Sequence, residues 1–373
     1  MSTVTTRDEA KKTRKRSVGS TGDKTFRGFA YGAGIAILVL LGAVAFFLLL
    51  QSYQVYTASM EEIQEDVGFA QVGSEPLSFW GYAARALFGT VLSALMALAI
   101  AVPLAIGIAL FISHFAPRRL AQLLGYIIDL LAAIPSIIFG MWGMWTLEPL
   151  MKPIFTWMED YLRPIIVFFT GDSEMVDGEE VWSGGLPFLA YPAENWEWWP
   201  IQPDVLTVSA GPARNIAMAA VILAIMILPI ITSLCREVFI QTPRLQEEAA
   251  MALGATRWEM IKMTVLPMGR SGMVSAAMLG LGRALGETMA LLMVLSAGLQ
   301  INFNVFSVGQ HSTIASQIAL RWPEASAGTA ENPSLEQPFL IALGLLLFVL
   351  TFIVNFIARG IVNRRKEFSG ANA

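Results

Sequence analysis

Charged residues are scarce in this sequence. Of its 373 residues, 14% are Asp, Glu, Lys or Arg and 55% are hydrophobic, whereas an average soluble protein has roughly 25% charged residues. This composition excludes a disordered chain, and so few charges would leave too much apolar surface in water for a soluble protein of this length. We therefore expect a protein that spans a membrane.

Cysteine and histidine are almost absent too. Cys235 is the single cysteine, so an intrachain disulfide is impossible and a disulfide scaffold is excluded. His114 and His311 have no further ligands at metal-binding spacing, and the sequence contains no HExxH, P-loop, GxSxG or CxxC pattern. We expect neither a metal site nor catalytic residues in this chain.

Long apolar runs, in contrast, are frequent. A helix needs about 20 consecutive apolar residues to cross the hydrocarbon core of a bilayer. Six segments meet this need, so we predict an all-α membrane protein with six transmembrane helices. The six segments are 29–51, 85–114, 129–148, 214–236, 271–298 and 336–359.

Lys and Arg predict the orientation of these helices, because cytoplasmic connections carry more of them than external ones. Nineteen lie in the tail 1–28, the links 114–129 and 236–270 and the C-terminal tail, and five lie in the other connections. We therefore place both termini in the cytoplasm. The external loop 148–213 has 11 acidic and two basic residues, and its Trp-rich run 196–199 fits an aromatic belt at the outer interface.

The chain then divides into four regions. They are a basic cytoplasmic tail (1–28), a first transmembrane helix (29–51), a transmembrane domain (80–360) and a second cytoplasmic tail (361–373). A basic tail can bind nucleic acid or anionic lipid. Here we expect a positive-inside anchor at the lipid bilayer and no nucleic acid partner.

The cytoplasmic loop 240–270 has more local structure than a simple connection needs. Ala, Leu, Met, Glu and Gln dominate 244–253, which predicts a helix, and Gly254 is typical of a helix end. We predict a second short helix that ends at Lys262 or the next residue, and Pro267 opens the following element.

Small side chains in this loop favour docking onto another protein. Ala249 and Ala250 let the helix backbone approach a partner closely, and Glu248 and Arg257 supply polar ends. The alternative is a solvated surface loop, which is what most cytoplasmic links are.

Two charges, Arg283 and Glu287, lie inside the predicted helix 271–298. Their i, i+4 spacing puts both side chains on one helix face, where they can contact each other. Arg283 falls near mid-bilayer, where an arginine costs about 3 kcal/mol on insertion scales. A guanidinium fork suits an oxyanion with paired oxygens, such as phosphate. The pair either lines a substrate path or is a buried ion pair that fixes the position of the helix.

Small and hydroxyl-bearing residues lie close to this pair and in the third predicted helix. Gly280, Gly282 and Gly286 would let a neighbouring helix pack closely. Thr288 and Ser136 are candidates to line the path. The alternative for both hydroxyls is a hydrogen bond to a carbonyl of the preceding helical turn.

These residues carry a family resemblance. The loop resembles the EAA loop of membrane subunits of binding-protein-dependent ABC importers, E-A-A-x3-G-x9-I-x-L-P, with Thr264 in place of the usual Ile. The run 280–290 is similar to the phosphate permeases, to the C-type subunit more than to the A-type, and so are 133–140 and 228–232. The resemblance covers roughly 80–360. The residues that match the EAA pattern are Glu248, Ala249, Ala250, Gly254, Leu266 and Pro267.

The resemblance implies one outer helix plus the five-helix core of a type I importer, and a permease subunit of an ATP-driven importer of inorganic phosphate. An extracytoplasmic phosphate-binding protein would deliver the ion, and an A-type permease would form a heterodimer with this chain. A dimeric ABC ATPase would bind the EAA loop. ATP and Mg would bind to those ATPase subunits, so the resemblance implies no cofactor in this chain.

We hypothesise a role for each of the two charges. Arg283 would contact phosphate in passing, and Glu287 would neutralise Arg283 between cycles. Three other functions stay open: a permease for sulfate or molybdate, an intramembrane enzyme that uses Glu287 or a serine of a transmembrane helix, and a phosphate-sensing scaffold without transport.

Overall fold

The computed structural model describes residues 21–73, 75–176, 179–183, 185, 207–208, 213–326, 328 and 334–366. Most of the predicted basic tail, the Trp-rich run 196–199 and residues 367–373 lie outside the described residues.

Helices form most of the described chain, as predicted, and two short antiparallel hairpins correct the all-α expectation. The helices are α1 (Thr21–Thr57), α2 (Met60–Asp66), α3 (Phe79–Leu110), α4 (Arg118–Ala132), α5 (Ser136–Trp142), α6 (Glu148–Thr170), α7 (Ile216–Ile240), α8 (Arg244–Ala252), α9 (Arg257–Met260), α10 (Leu266–Leu285), α11 (Met289–Val294), α12 (Ile314–Arg321) and α13 (Glu336–Lys366). The hairpin strands are β1 (Gln71–Val72), β2 (Glu75–Pro76), β3 (Asp172–Val176) and β4 (Glu179–Ser183).

Three π-helical turns extend or join these helices. Phe111–Phe115 follows α3, Gly143–Leu147 joins α5 to α6, and Ile261–Val265 joins α9 to α10. As a result, α5 with α6 and α9 with α10 are two continuous helical rods.

The described chain divides into two compact units, one that ends at Gln51 and one that starts at Ser52. In the first unit, the described residues 21–51 belong to α1, which contains the predicted helix 29–51 and extends beyond it at both ends.

Four described helices are long and apolar enough to cross a membrane, and a bent helix pair makes a fifth candidate. All four match predicted segments, which are 29–51, 85–114, 214–236 and 336–359. The prediction of six transmembrane helices is therefore confirmed for four or five of them within the described residues. The four are Thr25–Thr57, Phe79–Phe115, Ile216–Ile240 and Glu336–Gly360.

The predicted helix 129–148 is wrong in its bounds. α4 ends at Ala132, and the rod that starts at Ser136 is bent by 93° relative to it. Pro135 lacks a backbone N–H and disfavours helical geometry in the residue before it, so the chain turns there. The rod continues through Glu148 to Thr170, and the predicted external loop 148–213 therefore begins with a helix.

The predicted helix 271–298 is interrupted. We predicted that the helix beginning at Arg257 ends near Lys262. Instead, it continues through the π turn into α10. α10 ends at Leu285 and the chain becomes helical again only in α11. Gly286 and Thr288, which are poor helix formers, occupy the break.

The centre of the larger unit is the contact between α3 and α7. α3 contributes buried alanines at spacings of three and four residues, and α7 contributes larger side chains such as Met218, Ile222 and Met226. Small side chains on one helix let the other approach closely, so this pair is a firm base for the helices around it. The alanines are Ala94, Ala97, Ala101, Ala105 and Ala109.

Candidate functional site

The break between α10 and α11 is held by the residues that form it. The Thr288 hydroxyl donates a hydrogen bond to the Gly286 carbonyl at 3.1 Å, which satisfies an acceptor at the end of α10. The Glu287 carboxylate accepts a hydrogen bond from the Ala290 N–H at 3.2 Å, in the first turn of α11. The predicted path residues Glu287 and Thr288 therefore stabilise a helix interruption.

Arg283 and Glu287 do not contact each other, although their spacing suggested that they could, and the alternative of a buried ion pair is not observed. In the described part of the chain, neither side chain lies within 4 Å of an opposite charge. The i, i+4 argument needs an unbroken helix, and α10 ends between the two residues. Arg283 is exposed, whereas Glu287 is only 7% exposed and its carboxylate faces α11.

Contacts between α10 and α7 fix the depth of Arg283. A Cβ on Gly280 would lie 2.7 Å from Ile231 Cδ1 and 3.8 Å from Ile227 Cβ. Ile227 and Ile231 lie near the middle of α7, which runs from Ile216 to Ile240. Arg283 follows Gly280 by about one turn, or roughly 4.5 Å. The guanidinium-bearing residue is therefore near the midpoint of a helix that is long enough to cross the membrane.

Close contacts place α5 beside α11, at about the depth of Arg283. A Cβ on Gly140 would lie 2.9 Å from Ala290 Cα, and one on Gly143 would lie 3.6 Å from Val294 Cγ2. The two short helices therefore run parallel. Ser136, at the start of α5, and Gly286, at the end of α10, each precede these contacts by about one turn. The fold therefore brings the break before α5 close to the break between α10 and α11.

Two of the three predicted packing glycines have no packing partner in the described chain. Gly280 lies against α7, as a packing glycine should. Apart from its chain neighbours and the backbone of its own helix, nothing in the described chain lies within 4 Å of a Cβ built on Gly282, and Gly286 meets only the Gly282 carbonyl at 3.8 Å. The surface beside Arg283 is therefore open and lacks large side chains.

The EAA loop forms a protruding pair of helices. None of the nine residues of α8 is buried, and Ala250 alone of the predicted coupling alanines is half-buried. Gly254 ends this part with φ of +87°, a left-handed conformation that glycine adopts without strain. Leu266 and Pro267 lie in the first turn of α10, which continues the rod and is not the new element that Pro267 was predicted to open.

A capping box starts the second helix of the loop. The Glu259 N–H donates a hydrogen bond to the Thr256 hydroxyl at 3.4 Å, and the Glu259 carboxylate accepts one from the Thr256 N–H at 2.8 Å. The hydrogen bonds from the Thr256 backbone and hydroxyl lower the pKa of Glu259 below its ordinary value. The predicted coupling residue Arg257, which precedes Glu259, is exposed.

Sequence reasoning missed the apolar surface of the loop. Leu245 is 79% exposed and Leu253 is 90% exposed, and Met251 and Trp258 are exposed as well. Exposure of these apolar side chains to water is unfavourable, so their burial against another protein is favoured. The signal was available, because these large apolar residues interrupt an otherwise polar loop.

Sequence reasoning also missed a contact between α8 and the end of α3. His114 Nε2 lies 3.4 Å from Glu247 Oε1, and the Ser113 hydroxyl lies 2.7 Å from His114 Nδ1. A pattern search could not have found this pair, since 133 residues separate its members. Within the described ranges, no group of three or more His, Cys, Asp or Glu side chains is placed to hold a metal ion.

Comparisons with known proteins agree with this architecture. Residues 101–367 match the family described as "Binding-protein-dependent transport system inner membrane component". The "Phosphate transport system permease protein PstC 2" of Mycobacterium tuberculosis is 40% identical over 342 residues, which cover 91% of each chain. The "Phosphate transport system permease protein PstC" of Mesorhizobium japonicum is 35% identical over 354 residues, covering 94% of this chain and 92% of that one.

A solved structure supports the fold. A bacterial alginate ABC transporter in complex with alginate pentasaccharide-bound periplasmic protein contains a chain that matches with a TM-score of 0.51 at 13% identity. The match covers 92% of this chain and 95% of that chain. With the apolar helices, these findings describe a multi-pass protein of a bacterial plasma membrane. The chain belongs to the family of binding-protein-dependent transport system inner membrane components.

Proposed function

We propose that this chain is the C-type permease subunit of an ATP-driven importer of inorganic phosphate. The observation that carries the proposal is the likeness to two proteins named phosphate transport permeases, each aligned over more than nine-tenths of this chain. The polar helix interruptions at mid-depth give that function a physical basis.

The proposed topology has six crossings and cytoplasmic termini. The four apolar helices would supply four crossings, the bent pair that contains the rod Ser136–Phe169 would supply a fifth, and α10 with α11 would supply the sixth. Irregular backbone at membrane depth is tolerated where protein or water surrounds it. The excess of Lys and Arg in the proposed cytoplasmic segments supports the orientation.

The proposed substrate path runs along the open surface beside Arg283. The exposed guanidinium lies near the middle of the membrane, and a bare arginine facing lipid at this depth would be costly. An A-type permease on the other side of the path would enclose Arg283 together with Ser136 and Thr288. Passing phosphate would then contact the guanidinium fork. Glu287 keeps its carboxylate on α11 and leaves Arg283 available.

The EAA loop is the proposed contact for a dimeric ABC ATPase. Its exposed apolar side chains support docking in a cleft of a partner protein. ATP and Mg would be bound by the ATPase subunits, and this chain would contribute no cofactor and no catalytic group. The proposed coupling residues are Glu248, Ala249, Ala250, Gly254, Arg257, Leu266 and Pro267.

Uptake by the assembled transporter tests this function. The chain would be purified with its A-type permease and ATPase and placed in vesicles with ATP and a phosphate-loaded binding protein. We expect ATP-dependent uptake of radiolabelled phosphate that unlabelled phosphate suppresses and equal sulfate or molybdate does not. Uptake of sulfate or molybdate instead would assign another oxyanion, and an ATPase-bound complex without any uptake would indicate a sensing scaffold.

A further inference from the structure

α4 does not run across the membrane with the rod that follows it. The two are bent by 93° at the short break before Ser136, so if the rod crosses the bilayer, α4 lies close to the membrane plane. α4 is also a complete helix of 15 residues, about 22 Å long, and not a fragment of a longer one.

Its contact with α7 places α4 at one membrane surface. A Cβ on Gly125 would lie 2.8 Å from Nη1 of Arg236, so the guanidinium rests directly against the α4 backbone. Arg236 comes four residues before the end of α7 at Ile240, which is roughly 6 Å along the helix axis. An amphipathic helix bound at a membrane surface typically lies about 5–10 Å into the boundary between head groups and acyl chains.

The two sides of α4 differ in polarity in the way that such a position requires. Leu123 is 55% exposed and Leu130 is 70% exposed, and Leu120 and Ile127 lie on the same apolar stripe at spacings of three and four residues. The face around Gly125 also carries Arg118, Gln122 and Asp129. Water would disfavour the apolar stripe, and the bilayer core would disfavour the polar face.

Three guanidinium groups at this helix have no acidic partner. Arg118 and Arg119 begin α4, and Arg236 packs on its middle. Among the described residues, no carboxylate lies within 4 Å of any of the three, including Asp129 on the same face. Nε of Arg236 is buried and has no hydrogen-bond partner in the described chain. An anionic group from outside the chain would satisfy these donors.

We propose that α4 is an interfacial helix and that its arginines with Arg236 form a site for the phosphate head group of an anionic phospholipid. The apolar stripe would enter the acyl region, and Arg118 and Arg236 would face the head groups of the cytoplasmic leaflet. Arg119, four residues before Leu123 at the edge of the stripe, would extend its long side chain to the same head groups. This site rests on the proposed cytoplasmic placement of the 114–129 link. Lipid is favoured over a protein partner because the exposed aliphatic stripe and the cations lie on one helix at interfacial depth.

Spin labels would test the position of α4. Labels would be placed at Leu123→Cys and Gln122→Cys in the Cys235→Ser background, in the complete transporter in lipid vesicles. We expect the label at 123 to be accessible to oxygen at a shallow depth, and the label at 122 to a water-soluble nickel reagent. Two water-exposed labels, two labels at the bilayer centre, or two labels shielded by another subunit would each overturn the proposal.

Lipid binding would test the site itself. The purified transporter would be titrated with phosphatidylglycerol or phosphatidylcholine and the bound lipid counted by native mass spectrometry. About 1 kcal/mol per arginine near an anionic surface predicts roughly fivefold weaker phosphatidylglycerol binding for each arginine removed, in Arg118→Gln/Arg119→Gln and in Arg236→Gln. Arg270→Gln, an exposed arginine elsewhere on the same side, is the matched control and should bind like the wild type.

The remaining outcomes of the titration are decisive too. If the variants bind phosphatidylglycerol as the wild type does, or if the wild type does not prefer it over phosphatidylcholine, the site does not exist. If millimolar inorganic phosphate displaces the bound lipid, the arginines form a site for the free ion and the lipid assignment is wrong.

Discussion

The two faces of α10 use glycine in opposite ways. Towards α7, Gly280 lies so close to Ile231 that a Cβ would come within 2.7 Å of it, and Gly269 is similarly close to Phe239 at 2.9 Å. On the other face, a Cβ on Gly282 would meet no described atom within 4 Å outside its own helix backbone and chain neighbours. The first face fixes the helix within this chain, whereas the second leaves room beside Arg283 for something outside it.

The largest expected effect is on the packed face. Gly280→Val would push methyl groups into Ile231, and overpacking of this kind costs about 1–3 kcal/mol. We expect a lower midpoint of thermal unfolding in detergent, by several degrees, and less assembled transporter. Gly282→Ala is the matched control and should unfold at the wild-type temperature. Equal midpoints for the two variants would show that α10 and α7 do not pack as described.

The open face should show the reverse pattern. Gly282→Ala and Gly286→Ala add a methyl group where the chain itself has room, so we expect the stability of the chain to change by less than about 0.5 kcal/mol. Phosphate uptake should fall severalfold, because the added groups narrow the surface along which phosphate and the A-type permease approach. Unchanged uptake in both variants would mean that this face contacts lipid.

Another glycine, Gly254, lies just before the start of the same rod and forms the turn between α8 and α9. Gly254→Ala places a Cβ at φ of +87°, which costs roughly 1 kcal/mol and shifts the loop. We expect severalfold lower ATP-driven uptake with normal membrane insertion. Gly254→Asn is the control, since Asn tolerates the left-handed conformation better and should retain more uptake. If the two variants transport equally, the backbone conformation at this turn does not matter for coupling.

The smallest effect is expected at the contact that ties the EAA loop to α3. His114→Gln and Glu247→Gln should each lower coupled uptake modestly, because a partly exposed pair contributes only about 0–1 kcal/mol. The double variant should be no worse than the more affected single one. Fully additive losses would show that the two side chains act separately.

The sequence predicted the crossings better than their interruptions. Four of the predicted helices are long apolar runs, and hydropathy alone finds such runs. The pairing of Arg283 with Glu287 failed because it assumed that the helix continues, although Gly286 and Thr288 were visible signs of a break. Likewise, Pro135 marked the turn that separates α4 from the rod, but hydropathy carries no information about the direction of a helix axis.

Local sequence patterns could not predict contacts between segments that are distant in the chain. The level shared by Ser136 and Gly286 depends on the approach of Gly140 to Ala290, and nothing in either segment specifies its neighbour. The contact of His114 with Glu247 has the same origin. The outline of the EAA loop was predictable because helix formers, Gly254 and Pro267 act locally.

Arg283 is the central residue of the proposed phosphate path. Its direct test is ATP-driven phosphate uptake by Arg283→Gln, compared with Arg270→Gln, an exposed arginine near the start of the same helix. A lost charge-assisted hydrogen bond is worth about 1.5–3 kcal/mol, which predicts uptake reduced on the order of tenfold or more in Arg283→Gln. Assembly should be normal in both variants, and Arg270→Gln should transport like the wild type. Wild-type uptake by a correctly assembled Arg283→Gln transporter would contradict the account.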